Sequence, residues 1–232
     1  MAKVIIFTGA GVSAQSGIST FRDSDGLWEN HDINEICTAG CLNWNREATI
    51  AFYDKRREDI ADKKPNYAHE QIKYLKEKYP KEVAVITQNV DDMFEKAFCN
   101  DVLHLHGFLR EVVCEQCGFI DDIGYEKLES AHEVCPSCSA LLRPNIVFFG
   151  EAAPRYADLY EELQDCEMLV VIGTSGNVIN TDMFLSRQIK LSILNNLERS
   201  AAIDDRLYSK VLYKKATEAI DEIVEDVQAF LA

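Results

Sequence analysis

Short apolar runs alternate with polar, glycine-broken joints along this chain, and the alternation predicts its elements. Residues 4–7 (Val-Ile-Ile-Phe) form a β-branched run of the kind that makes a strand buried on both faces. Similar runs predict strands over 81–87, 141–151, 167–175 and 189–194, with shorter ones at 102–103 and within 207–215. Between them the pattern shifts to helical spacing. Asn45 is placed to cap a helix over 46–61 whose uneven apolar face carries Ile50, Phe52, Tyr53 and Ile60. Pro65 and Asn66 stop it, and Asn66 caps a second helix to about Tyr79. Short helices are expected over 92–98 and 154–163, and an amphipathic closing helix over 216–231 turns Ile220, Ile223, Val224, Val227 and Leu231 inward. Residues 32–45 read as irregular, and the polar stretch 22–28 as a loop, either a lid or plain surface. Strands alternating with helices predict an α/β fold with a parallel sheet.

Composition narrows this without changing it. The chain has 232 residues, 47% hydrophobic and 27% charged, which suits one sizeable core with room for a small inserted module. No apolar run reaches the roughly 20 residues that span a bilayer, and the start shows no signal-peptide pattern, so a cytoplasmic protein without membrane partners is expected. The net charge of −15 argues against nucleic-acid partners and favours basic or lysine-bearing peptides, unless it serves only solubility.

Candidate chemistry collects at the strand ends. Gly9, Ala10 and Gly11 follow the first strand, and Ser13 and Ser16 suit the opening of a helix. A strand, a glycine turn and a helix start can cradle a phosphate, although the same residues also make an ordinary tight turn and the spacing is not G-x-G-x-x-G. Gln88, Asn89 and Asp91 follow the second strand and are placed to contact a cofactor's amide or ribose, with helix capping the alternative for Asp91. Gly173, Thr174 and Ser175, then the residues from Asn195 to Glu198, repeat this placement farther along. His104 and His106 point oppositely on an extended chain, so both are not expected to do one job; His106, beside Gly107, is the preferred general base. Tyr53 and Arg56 share one side of their helix and can grip a carboxylate, or merely belong to a solvated mixed-charge face. Cys114, Cys117, Cys135 and Cys138 form two C-x-x-C pairs 17 residues apart, the pattern of a zinc ribbon with a closed four-thiolate shell and a structural metal. Cys37, Cys41, Cys99 and Cys166 are scattered and read as buried small hydrophobes.

Taken together, these motifs resemble the sirtuins, the family of NAD-dependent protein lysine deacylases, over nearly the whole chain. The resemblance rests on the segments 9–22, 87–91 (Thr-Gln-Asn-Val-Asp), 104–107, 149–151 (Phe-Gly-Glu), 173–175 and 196–198, and on the four paired cysteines. Residues 25–28 and the Tyr53, Arg56 pair resemble the bacterial and mitochondrial class that removes succinyl and malonyl groups. The resemblance implies a Rossmann-like domain from 1–27, 80–110 and 143–232, and a smaller domain from a helical insertion (28–79) and a zinc ribbon (111–142). It implies NAD as co-substrate, held by Gly9, Ala10, Gly11, Ser13, Phe21, Arg22, Trp28, Gln88, Asn89, Val90, Asp91, Gly173, Thr174, Ser175, Asn196, Leu197, Glu198 and Ala216. An acyl-lysine protein substrate would meet Tyr53, Arg56, Phe149, Gly150, Glu151 and Val178, with the acyl group passed to the ribose and His106 acting as base on a ribose hydroxyl. A single structural Zn2+ and a monomeric chain complete the expectation. Two stretches depart from the family: 178–182 reads Val-Ile-Asn-Thr-Asp instead of Val-x-Pro-Ala-Ala, and Lys214, Lys215 and Ala216 stand where Gly-x-Ala is usual. These departures leave a catalytically impaired NAD or ADP-ribose sensor as the alternative. An ordinary dehydrogenase is disfavoured because a loop replaces the strand-end acidic residue expected about 20 positions after the glycines.

Overall fold

The computed structural model describes residues 2–19, 33–128 and 132–232. Its main body is a six-stranded, all-parallel sheet of β1 (Val4–Thr8), β2 (Val83–Thr87), β3 (Val102–His104), β7 (Met168–Ile172), β8 (Leu191–Asn196) and β9 (Lys210–Tyr213). The order across the sheet is β3-β2-β1-β7-β8-β9, so the winding reverses between β1 and β7. This is the doubly wound order in which ligands settle at the strands' C-terminal ends beside the reversal.

The period of two along each strand divides the core. Val4 and Ile6 of β1 face the layer that holds Val85, Val170 and Ile193, covered by α4 (Tyr67–Lys78) and α7 (Ala216–Leu231). Ile5 and Phe7 face the opposite layer with Ile86, Leu169 and Val171, under α6 (Tyr156–Leu163). Both faces are dry, which explains why these strands read as unbroken apolar runs. The closing helix spans the expected residues, with Ile220, Ile223, Val224 and Val227 buried. Asn66 caps α4 as expected, and its box is completed by the His69 ring, which accepts the Asn66 backbone N–H at 3.2 Å.

A second, three-stranded antiparallel sheet holds β4 (Gly107–Val113), β5 (Ile120–Asp122) and β6 (Arg143–Ile146), ordered β5-β4-β6. Against it lies α3 (Arg46–Ala61), preceded by short helices α1 (Ile33–Ile36) and α2 (Cys41–Trp44) where irregular chain was expected. The mixed-charge stretch of α3 is not all solvated. Arg57 is fully buried, donating to Asp54 at 2.6 Å and to the Leu109 carbonyl at 2.8 Å, while Asp54 accepts the Leu128 N–H. This ion pair pins the helix to the ribbon. Asn45 starts α3 without a side-chain cap, because its amide reaches back to the Glu35 carbonyl.

Candidate active site

The turn after β1 continues not as an α-helix but as two 3-10 turns, Ala10–Val12 and Ala14–Ser16. Its glycines serve backbone against backbone. A Cβ on Gly11 would lie 2.6 Å from the Gly173 Cα, and Gly11 N–H donates to the Gly173 carbonyl at 2.8 Å. The turns after β1 and β7 are thereby clamped together at the sheet's reversal point, and both line a cavity of about 580 Å³.

His106 enters this cavity from the loop between β3 and β4. Gly107 makes that possible: its φ of +91° turns the chain, and a Cβ there would strike the Asn145 carbonyl oxygen at 1.9 Å. The ring's Nδ1 lies 3.0 Å from the Gln88 carbonyl and its Nε2 lies 2.9 Å from the Tyr156 hydroxyl. Because a carbonyl only accepts, Nδ1 carries the proton of the neutral ring and Nε2 accepts the phenol O–H. Burial holds His106 below the ordinary histidine range, and the Gln88 carbonyl only partly offsets it, so the ring is neutral near pH 7 with its Nε2 lone pair available as a base. His104 turns the other way. It bridges the Asn89 carbonyl and Glu95, each at 2.9 Å; burial pulls its pKa down, but the Glu95 carboxylate outweighs this and raises it. The two neighbouring histidines thus have separate surroundings, as their alternation predicts.

Gln88, Asn89, Val90 and Asp91 line the same cavity as His106. Gln88 donates to the Thr174 hydroxyl at 2.9 Å, tying the end of β2 to the end of β7. Asp91 caps the short helix α5 (Met93–Lys96) through the Met93 N–H at 3.1 Å, and burial raises its carboxyl pKa. Ser13 is fully buried behind the cavity wall, where it meets His69 Nε2 at 3.3 Å and Asn89 Nδ2 at 3.2 Å. At the far strands the wall is formed by Gly173, Thr174, Ser175, Asn196, Leu197, Glu198 and Ala216. Lys214 lines the cavity too, with its ammonium drawn to Glu222. Val178 is on the rim, and the stretch after it forms only a 3-10 turn, Thr181–Phe184, capped by Asn180.

The opposite wall comes from the second sheet and α3. Tyr53 and Arg56 both line the cavity, as do Phe149, Gly150 and Glu151. Tyr53 stacks on Phe148 with ring centroids 5.4 Å apart, and its hydroxyl lies 3.4 Å from Cys37 Sγ. Burial keeps that phenol protonated and pushes the Cys37 thiol up to about 11. Burial also lowers the Arg56 pKa, a cost that an incoming anion would offset. The Glu151 carboxylate is already engaged, by Arg143 at 2.7 Å and by the Phe148 N–H at 2.9 Å. Phe21, Arg22 and Trp28 lie outside the described residues.

This arrangement can be set beside known proteins. A model of the Sir2 family matches residues 9–180. An NAD-dependent protein deacylase of Campylobacter jejuni strain RM1221 is 46% identical over 232 residues, covering 100% of this chain and 98% of its own. One from Helicobacter hepaticus is 40% identical, covering 99% of each. The chain belongs to the Sir2 family. A solved Sir2 homologue in complex with NAD superposes with a TM-score of 0.86 at 32% identity, over 99% of this chain and 90% of that one.

The Sir2 fold here carries its cysteine cluster away from the cavity. The Sγ atoms of Cys114, Cys117, Cys135 and Cys138 all lie within 4.8 Å of one another, with two pairs at 3.4 and 3.6 Å. Sulfurs bonded at about 2.3 Å around a tetrahedral ion sit roughly 3.8 Å apart, so the donor set fits zinc. Four thiolates close the shell and leave no place for substrate, so the metal is structural. A zinc ion held by these four residues would join the turn between β4 and β5 to the loop before β6. Cys37, Cys41, Cys99 and Cys166 are buried thiols, as expected.

Sequence reasoning missed Tyr156, Cys37 and Phe148 in the cavity wall. Tyr156 stands 50 residues from His106, and no local spacing connects them. It also missed Arg143, whose buried guanidinium lies 4.0 Å from the Phe148 ring centroid and binds Glu115, inside the first cysteine pair, at 2.6 Å.

Proposed function

We propose that this Sir2-family chain is an NAD-dependent protein lysine deacylase with a preference for acidic acyl groups, succinyl and malonyl, over acetyl. The observation that carries the reading is that His106, the segment from Gln88 to Asp91, and the Tyr53, Arg56 pair all line one cavity. The residues fit a dinucleotide: clamped turns at the sheet's reversal, polar strand ends and a neutral imidazole share one wall. NAD, when bound, supplies an electrophilic ribose carbon whose leaving group is nicotinamide.

In this reading Gln88, Asn89 and Asp91 orient the nicotinamide end, and Asn196 and Glu198 the adenosine end. His106 Nε2 takes a proton from a ribose hydroxyl, while the Gln88 carbonyl holds Nδ1–H and fixes the tautomer. Phe149, Gly150 and Val178 bracket the lysine side chain. Tyr53 and Arg56 meet the terminal carboxylate of the acyl chain, where the new charge partner offsets the burial of the guanidinium.

The test mixes the purified protein with NAD and matched succinyl-lysine and acetyl-lysine peptides, and follows nicotinamide release. Arg56→Met is expected to lower succinyl turnover by about 10- to 100-fold, the value of a charge-assisted hydrogen bond, while acetyl turnover stays close to the parent's. Equal loss on both peptides would remove the carboxylate grip. His106→Tyr is expected to abolish turnover to free lysine with the fold retained; NAD binding without nicotinamide release by the unaltered protein would instead favour a sensor.

A further inference from the structure

The imidazole of His106 makes its two hydrogen bonds to two unlike partners. Gln88 offers a backbone carbonyl, fixed in place by the end of β2. Tyr156 offers a side-chain hydroxyl from the first turn of α6, 2.9 Å from Nε2, with the ring centroids 6.0 Å apart and the planes inclined at 48°. The phenol therefore reaches the nitrogen by its tip and does not stack on the ring. Tyr156 is half-buried and lines the same cavity. Burial, with Tyr160 nearby, raises its pKa, so it is a donor near neutral pH.

A neutral imidazole has one in-plane lone pair at Nε2, and it accepts one strong hydrogen bond there. Any hydroxyl that surrenders its proton to His106 must use that same lone pair. The phenol and a ribose hydroxyl consequently compete for a single position.

We propose that Tyr156 is a positioning residue for His106: its hydroxyl caps Nε2 in the nucleotide-free protein and yields that position to a ribose hydroxyl when nucleotide binds. The inference rests on the reading of His106 as the base and adds to it a built-in stand-in for the substrate hydroxyl. Until a ribose hydroxyl takes that position, the phenol keeps the ring in the correct tautomer and aimed into the cavity. Of the titratable groups that line the cavity with the ring, Asp91 follows β2, Glu151 follows β6, and Tyr53 and Arg56 are on α3; among the described residues Tyr156 is the only titratable side chain hydrogen-bonded to the imidazole.

The experiment compares the full chain with Tyr156→Phe, which keeps the aromatic ring in its packing against the α6 layer and removes only the hydroxyl. In nucleotide-free protein labelled with 15N-histidine, the His106 Nε2 resonance is expected to move and its titration to rise by a few tenths to one pH unit, because the donor that favoured the neutral ring is gone. The acid limb of kcat/KM, which reports the free enzyme, rises by the same amount, whereas the limb of kcat stays in place. KM for NAD falls by about 2- to 10-fold, since one hydrogen bond no longer has to be exchanged. An unmoved resonance and an unmoved kcat/KM limb would overturn the proposal. So would a kcat limb that shifts as far as the kcat/KM limb, because the phenol would then stay on the ring through turnover. A His106→Ala enzyme that still turns over would remove the base itself, and the two failures are separable because the nitrogen shift in Tyr156→Phe does not depend on turnover.

Discussion

The two sheets of this molecule are held by different physics. The six-stranded sheet is dry on both faces, and its strands interlock through Val, Ile and Leu side chains at alternating positions. The three-stranded sheet feeds two smaller apolar clusters, one with Ile50, Val112, Ile123, Leu128 and Leu142, the other with Leu109 and Ile146 against Phe52, Tyr53 and Ile60 of α3, and β5 is exposed throughout. To these it adds directional bonds: four sulfurs within 4.8 Å of one another, a set that suits one zinc ion, and a buried Arg57, Asp54 pair that locks α3 to it. Non-directional burial tolerates small errors of position, whereas a thiolate shell or a buried ion pair works only in one geometry. The cavity lies on the seam between the two. One wall is the set of parallel strand ends; the other is a turn that Arg143 braces against both Phe148 and the first cysteine pair.

The largest effect expected from this contrast comes from the metal. Stripping zinc with a strong chelator, or replacing Cys135 by Ser, is expected to expose the backbone amides of β4 and β5 to hydrogen exchange while β1, β2 and β7 keep their protection. Metal binding in small zinc domains is worth on the order of 10 kcal/mol, more than the ribbon's thin core can replace. Simultaneous loss of both sheets would show that they form one cooperative unit and break the comparison.

Next comes Arg57→Ala, which removes the guanidinium that neutralises the buried Asp54 carboxylate. It is expected to cost about 3–5 kcal/mol in denaturant unfolding. In the main sheet Ile6→Ala, a cavity in the dry layer, is expected to cost about 2–5 kcal/mol, with no change in metal retention. An Arg57→Ala variant as stable as its parent would mean that apolar contact alone docks α3 on the ribbon.

The smallest effect concerns pH. His69 is fully buried beside Ser13, and burial pushes its pKa down to about 4. Below about 6.5 the unfolded chain takes up a proton that the folded chain refuses until about 4, so this group withdraws stability as pH falls through that window, by at most about 3 kcal/mol. His104 acts in the opposite sense: its pKa is raised in the fold, so its contribution is present at low pH and lost as pH rises through the folded value. Urea midpoints at pH 7 and pH 5 for the parent and for His69→Gln would isolate the first term, and identical slopes would refute it.

Legibility in the sequence follows the same division. Residues 4–7, 167–175 and 216–231 announced their elements because a two-sided apolar strand and an amphipathic helix are local periodicities, and the structure places Val4–Thr8, Met168–Ile172 and Ala216–Leu231 there. The helix predicted after Gly11 proved to be two 3-10 turns, because that chain folds back onto the Gly173 turn, a neighbour more than 160 residues distant. The charge pattern of α3 hid the buried Arg57, since the carbonyls and carboxylate that receive it come from β4 and the ribbon as well as from the helix itself.

The resemblance of its motifs pointed to the family, and the residues by themselves determined the parallel α/β sheet, the paired cysteines and the opposed faces of His104 and His106. These depend on spacing within one strand, one helix or one loop, where covalent geometry alone decides which side chains share a face. Only the tertiary structure decided which groups converge on the cavity: Tyr156 against His106, Cys37 beside Tyr53, and Arg143 joining Glu115 to Glu151. Such pairs are made when separate elements dock, and the packing of the whole core sets their distances.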